Sequence, residues 1–169
     1  MRLLFSLLMS CFLLGCSVNP PSDITPVKNF ELPRYLGTWY EIARIDNRFE
    51  KGLSQVSADY SLRDDGGVKV VNRGWNDREQ QWEQSIGKAY FVQSPQDGAL
   101  KVSFFGPFYG GYNIIKIDED YQTSLVVGGN KNHLWILSLT PKISQKTLEE
   151  YIAFAEMNGF DKDRIMLFK

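Results

Sequence analysis

The chain has 169 residues, 43% of them hydrophobic and 14% aromatic, with 19 basic against 20 acidic residues for a formal charge of −1. That length is enough for one domain with a buried core. The near-even charge balance excludes recruitment of nucleic acid or anionic lipid by bulk charge.

Residues 1–15 read as a lipoprotein signal peptide. Arg2 supplies a short positive start, and "LLFSLLMSCFLL" is an apolar run too short to span a bilayer stably. Leu13, Leu14 and Gly15 before Cys16 resemble a bacterial lipobox. The resemblance implies cleavage before Cys16 and acylation of that cysteine by palmitate-like chains. Ser17 follows where an aspartate would signal retention at the inner membrane, so the implied destination is the bacterial outer membrane, with the protein lipid-anchored there. Losing Arg2 leaves 18 basic against 20 acidic residues, a charge of −2. The two cysteines are Cys11 and Cys16, so the expected domain has no disulfide and holds together by packing.

Residues 16–29 are expected to be the lipidated cysteine and a flexible tether. "SVNPPSDITPVKN" is rich in Pro, Ser and Asn and has no apolar period. Extended at about 3.1 Å per residue it reaches roughly 40 Å. The folded domain is expected over residues 30–169.

From Gly37 onward the chain reads as eight strands: "TWYEIARI", "QVSADYSLR", "GVKVVNRGW", "WEQSIGKAYFV", "ALKVSFFG", "GYNIIKI", "TSLVVGG" and "HLWILSL". Each is short and rich in β-branched and aromatic residues, and turn signals such as "RDDGG", "SPQDG" and "GNKN" separate them. The longest connection, "DNRFEKGLS", follows the first strand. The fold class is all-β, a sandwich or an up-and-down antiparallel barrel. Eight strands is the number at which a barrel interior holds one small ligand. "SQKTLEEYIAFAEMNGF" then turns helical, with Leu148, Tyr151, Ile152 and Ala155 on one face. Ser144 is a candidate N-cap, Thr147 with Glu150 an alternative capping box, and Gly159-Phe160 a C-terminal stop. "RIMLF" reads as a short extra strand.

Strand alternation sorts the faces. Val56, Ala58, Tyr60 and Leu62 share one face, as do Gly87, Ala89 and Phe91, then Leu100, Val102 and Phe104, then Trp135, Leu137 and Leu139. Ser57, Asp59, Ser61, Lys88, Lys101 and Ser103 take the opposite, wet face. The first strand is less clean, because Trp39, Glu41 and Ala43 fall together, and an inward Glu41 needs a partner or water. Asn72 lies in line with Val68 and Val70. A filled core and a ligand cavity both satisfy this pattern. Aromatics with small residues between them fit a pocket as well as a core, and its candidate ligand-binding residues are Tyr60, Asn72, Ala89, Phe91, Phe104, Tyr112 and Trp135.

"GTWYEIAR" resembles the first lipocalin signature, Asp120-Tyr121 the second, and "LWILSLTP" with its following helix the third. "SLRDDGGVKVVNRG", "GKAYF" and "LKVSFFGPFYGGYN" are similar to bacterial outer-membrane lipocalins, a branch near apolipoprotein D. The resemblance implies an eight-stranded antiparallel up-and-down β-barrel with a C-terminal α-helix and a short extra strand packed on it. It implies that Gly37 turns the chain into the first strand and Trp39 plugs the floor. Lipocalins usually stack an arginine across that indole; here the matching residue is Leu139.

Chemistry is thinly represented. His133 is the single histidine, "GLSQV" around Ser54 is not a nucleophile elbow, and the pairs Asp64-Asp65 and Glu149-Glu150 read as solvated charge. No catalytic residue, metal or cofactor is expected. Three functions remain open. One is a carrier or scavenger of fatty acids or lysophospholipids, with Arg48 and Lys51 near the mouth either solvated or facing a headgroup. Another is a lipid-modifying enzyme. The last is a structural lipoprotein with a filled barrel, whose "FFGPFYGGY" aromatics offer a partner patch, a homodimer among the options. A membrane-spanning barrel is disfavoured, because Lys88 and Lys101 would face lipid.

Overall fold

The computed structural model describes residues 17–168. The expected signal peptide and the acylation at Cys16 lie outside the described residues. A four-residue helix α1 (Leu32–Tyr35) leads into strands β1 (Gly37–Ile45), β2 (Leu53–Leu62), β3 (Val68–Asn76) and β4 (Gln81–Phe91). Strands β5 (Ala99–Phe105), β6 (Phe108–Ile117), β7 (Thr123–Val127) and β8 (Leu134–Ser138) follow, then helix α2 (Gln145–Met157) and strand β9 (Ile165–Leu167). Strands β1 to β8 pair antiparallel in chain order, and β8 and β2 both pair with β1, which closes the barrel. β9 takes the edge of β1 at Ala43–Ile45, beyond the last β1–β2 pair at Tyr40–Ser57.

Gly37 enters β1 at φ 108, a backbone conformation that costs glycine little. Connections alternate between the two ends. The β2–β3, β4–β5 and β6–β7 turns share the floor with α1; the β1–β2, β3–β4, β5–β6 and β7–β8 connections form the mouth.

Two apolar clusters divide the interior. The first fills the barrel and includes Phe30, Tyr35, Trp39, Ala58, Tyr60, Val70, Ala89 and Leu137. The second lies between the outer wall and α2, where Ile42, Ala43, Leu125, Leu134 and Ile136 meet Tyr151, Ala155 and Phe160. This is why every residue of β7 is buried: one face sees the lumen, the other the helix. The α2 boundaries follow the expected signals. The Ser144 hydroxyl accepts from the Thr147 amide at 3.0 Å. Gly159 turns at φ 79 while the Phe160 amide bonds the Ala155 carbonyl and the Gly159 amide that of Glu156, a Schellman stop.

Residues 17–29 correct the expectation of a free tether. Ile24 is buried in the outer cluster, the Val27 amide bonds the Ile114 carbonyl, and Lys28 pairs with Asp97 at 2.9 Å. Backbone bonds and the apolar side chains of Ile24 and Val27 hold this polar segment to the wall instead of leaving it extended.

Candidate functional site

The floor is aromatic. Trp39 is fully buried, its indole nitrogen donates to the Tyr35 carbonyl at 2.8 Å, and the two rings stack at 4.5 Å. Leu139 packs partly buried against the same cluster. Arg34 of α1 lies 4.2 Å over the Tyr121 ring and donates to the Glu119 carbonyl.

Above the floor, three tyrosines share their hydroxyls. Tyr112 is 2.8 Å from both Tyr35 and Tyr60, and Tyr35 is 3.1 Å from Ser124. Burial raises the Tyr35 phenol to about 12 and pushes Tyr60 and Tyr112 well above the usual phenol value. All three are neutral at physiological pH and act as hydrogen-bonding groups. Beside them runs a cavity lined by Phe30, Tyr60, Val70, Ala89, Leu100 and Tyr112, among others. It holds about 20 Å³, room for one or two waters.

Near the mouth the strand pattern breaks. The β1–β8 register shifts between Glu41 and Ala43. Glu41 opposes the lumen residue Leu137, Ala43 opposes the outer residue Ile136, and Arg44 opposes Trp135. The bulge therefore moves Ala43 outside, correcting its expected place beside Glu41, and turns Arg44 inward. Arg44 donates to Glu41 at 2.8 Å and to the Glu50 and Leu53 carbonyls at 2.8 and 3.2 Å. Glu50 accepts from the Trp135 indole at 2.8 Å and from Asn47. Burial, and then the nearby charge of Glu50, push the Glu41 carboxyl well above the usual carboxylate range, against the pull of Arg44. The β1–β2 loop is thus tied down over a buried charged group.

Of the expected ligand-binding residues, Tyr60, Ala89 and Tyr112 line the cavity together. Phe91, Phe104 and Trp135 pack partly buried against the lumen cluster, and Asn72 sits half-buried opposite Ala58 and Ser85. Ser103, expected on the wet face, is buried at 4% exposure; it pairs with Lys88 and lies between the lumen residues Val102 and Phe104. Leu62, expected inside, is 62% exposed at the end of β2. Arg48 and Lys51 are exposed. His133 stacks at 6.1 Å on Trp135, and burial lowers its pKa. Sequence reasoning missed Tyr35, Arg44 and Glu50; the "EIAR" spacing of Glu41 and Arg44 was the available signal.

A closed eight-stranded barrel with an aromatic floor, an apolar lumen and one flanking helix defines a lipocalin. The comparisons agree. A family profile described as the lipocalin-like domain matches residues 30–169, and the chain belongs to that family. The outer membrane lipoprotein Blc of Escherichia coli K12 is 55% identical over 150 residues, covering 89% of this chain and 85% of that protein. Its namesake in Vibrio cholerae is 47% identical over 167 residues, covering 98% and 97%. Apolipoprotein D of Cavia porcellus is more distant, 30% identical over 163 residues, covering 92% and 83%. Among solved structures, insecticyanin from the tobacco hornworm superposes with a TM-score of 0.69 at 17% identity over 89% of this chain and 86% of that one, a likeness of fold. The chain stands with the bacterial outer membrane lipoproteins of this family.

Proposed function

We propose that the barrel receives the acyl chain of an amphipathic lipid, a fatty acid or lysophospholipid. On this reading the protein stores, scavenges or transports such lipids at the outer membrane, in envelope maintenance or stress, held by acylated Cys16. The observation that carries it is the lumen: a cavity walled by Tyr60, Val70, Ala89, Leu100 and Tyr112, beneath the polar group of Arg44, Glu41 and Glu50. Apolar walls with a few convergent polar groups suit one chain and one headgroup. The protein acts as a binder rather than an enzyme, and needs no cofactor.

The cavity volume of about 20 Å³ favours a second reading. A chain of many methylenes does not fit unless the aromatics move. In a structural lipoprotein the barrel stays filled, and the β5–β6 hairpin serves a partner, such as a second copy.

Native mass spectrometry of the chain from Ser17, challenged with fatty acids and lysophospholipids, separates the two. A one-to-one adduct abolished by Ala89→Trp supports the carrier, and its headgroup preference names the ligand class. A folded protein that takes neither lipid supports the filled barrel.

A further inference from the structure

We infer that the mouth of the barrel rests on the surface of the bilayer that holds Cys16, so that the lumen opens onto lipid rather than onto water. The inference rests on the acylation of Cys16.

Two independent features of the same end carry it. The first is where the anchor leaves the fold. Ser17 packs against Gly129 in the β7–β8 connection, where a Cβ would collide with its carbonyl oxygen. The Val18 oxygen would lie 2.7 Å from a Cβ at Gly111 and is 3.5 Å from the Asn113 amide nitrogen. Asp23 pairs with Lys131 of the same β7–β8 connection. From Ile24 the segment runs along the wall to the floor, where Phe30 bonds the Gln96 carbonyl. Cys16 is therefore one residue, about 3.8 Å, from a residue seated on the mouth. With the segment docked, the anchor has little slack to hold the mouth away from the headgroups.

The second feature is the rim. Among the described residues, the Phe and Trp side chains with most of their surface exposed are Phe49 at 65%, Trp82 at 58%, Phe105 at 73% and Phe108 at 76%. They flank three mouth connections: β1–β2, β3–β4 and β5–β6. Of the other exposed large apolar side chains, Leu62 ends β2 at the floor and Ile86 lies midway along β4, while Met166 and Leu167 of β9 flank the mouth-end half of β1. Phe and Trp favour the interfacial zone of a bilayer, where a ring meets both chains and headgroups. The mouth connections mix Arg48, Lys51, Arg78 and Lys131 with Asp46, Glu50, Asp77 and Glu79, so attraction by charge is not what selects the surface. Docking should be insensitive to salt.

The test uses the full-length lipoprotein, reconstituted into vesicles of phosphatidylethanolamine and phosphatidylglycerol containing a doxyl-labelled lipid. An environment-sensitive dye is attached to one introduced cysteine. Gly106→Cys places it at the mouth, where a Cβ meets nothing within 4 Å. Asp64→Cys places it in the exposed β2–β3 turn at the floor. The expected result is a blue shift and severalfold stronger quenching at 106 than at 64, unchanged by high salt. Phe105→Ser with Phe108→Ser, or Phe49→Ser alone, should reduce quenching at 106 while leaving the barrel's melting temperature in place. Equal quenching at both sites, none at 106, or stronger quenching at 64 overturns the orientation. So does a blue shift at 106 that depends on protein concentration and not on the doxyl lipid, which would put a second copy on the rim. Intact mass of the same sample reads acylation of Cys16, so a missing anchor is told apart from a wrong orientation.

Discussion

Arg44 and Glu41 lie three residues apart on β1, yet both point into the barrel and meet at 2.8 Å with side chains only 1% and 2% exposed. A regular strand puts residues three apart on opposite faces; the bulge between them makes the pair possible. The pair then reaches the β1–β2 loop through the Glu50 and Leu53 carbonyls. One local irregularity therefore sets the charge of the lumen and the position of the loop over it.

Breaking that pair from one side should be costly. Arg44→Met leaves the Glu41 carboxyl buried without its partner, to stay charged or take up a proton, and strips the Glu50 and Leu53 carbonyls of their donor; a loss of about 3–5 kcal/mol is expected in urea unfolding at a pH above the raised Glu41 pKa. Replacing both, Arg44→Met with Glu41→Leu, removes the orphaned charge and should recover much of the loss. A double variant as unstable as the sum of the single ones would mean the two groups do not act as a pair.

Glu41 should also leave a signature in the pH dependence of stability. Its folded-state pKa is raised above the ordinary value of 4.5 by burial and by Glu50. A raised carboxyl binds its proton more tightly in the folded state. Its favourable contribution is then full below the unfolded pKa and lost as pH rises through the folded one. The melting temperature of the wild type minus that of Glu41→Gln should accordingly fall as pH rises from the ordinary carboxylate value toward neutrality. Parallel melting curves across that window would contradict the raised pKa.

Much of this architecture is legible in the sequence because alternation and turn chemistry are local. Ala58 and Tyr60 face inward as their period demands, and Ser144 and Gly159 bound α2. What is illegible has a common cause. Bulges at Glu41/Ala43, Ser54/Ser57 and Val102/Phe105 shift the register without any compositional mark, and the first of them hides the inward Arg44. Helix α1 is one turn long, so it has no period to read, and with it Tyr35 escapes notice. The docked N-terminal segment is held by backbone amides such as those of Val27 and Gly98, which every residue carries.

The tyrosine chain above the floor offers a third test. Tyr112→Phe removes the hydroxyl that both Tyr35 and Tyr60 use, while Tyr35 keeps Ser124. The Tyr60 hydroxyl is then left buried, at an expected cost of about 1–3 kcal/mol. Tyr40→Phe, on a residue only half-buried in β1, is the control and should change little. Equal effects of the two changes on the urea midpoint would mean the chain adds no stability.

The floor gives the last. Lipocalins usually stack an arginine on the floor indole, and here Leu139 stands at that position. Tyr35 covers Trp39 at 4.5 Å and takes its indole hydrogen, so one side of the ring is already satisfied. Leu139 sits in the same cluster only partly buried, with its amide bonded to the Gln122 carbonyl, so its backbone is fixed while its side chain keeps access to solvent. A guanidinium there should lie over the indole without paying full desolvation, for a gain of about 0.5–2 kcal/mol. In a domain of this size each kcal/mol moves the melting temperature by roughly 2–4 °C. Leu139→Arg should therefore raise the melting temperature by a few degrees. Leu139→Met, similar in volume and without charge, should not. On the carrier reading, lipid uptake at the mouth, the far end of the barrel, should be the same in all three proteins. An unchanged or lower melting temperature for Leu139→Arg would show that Tyr35 and Leu139 already close the floor as well as the arginine does.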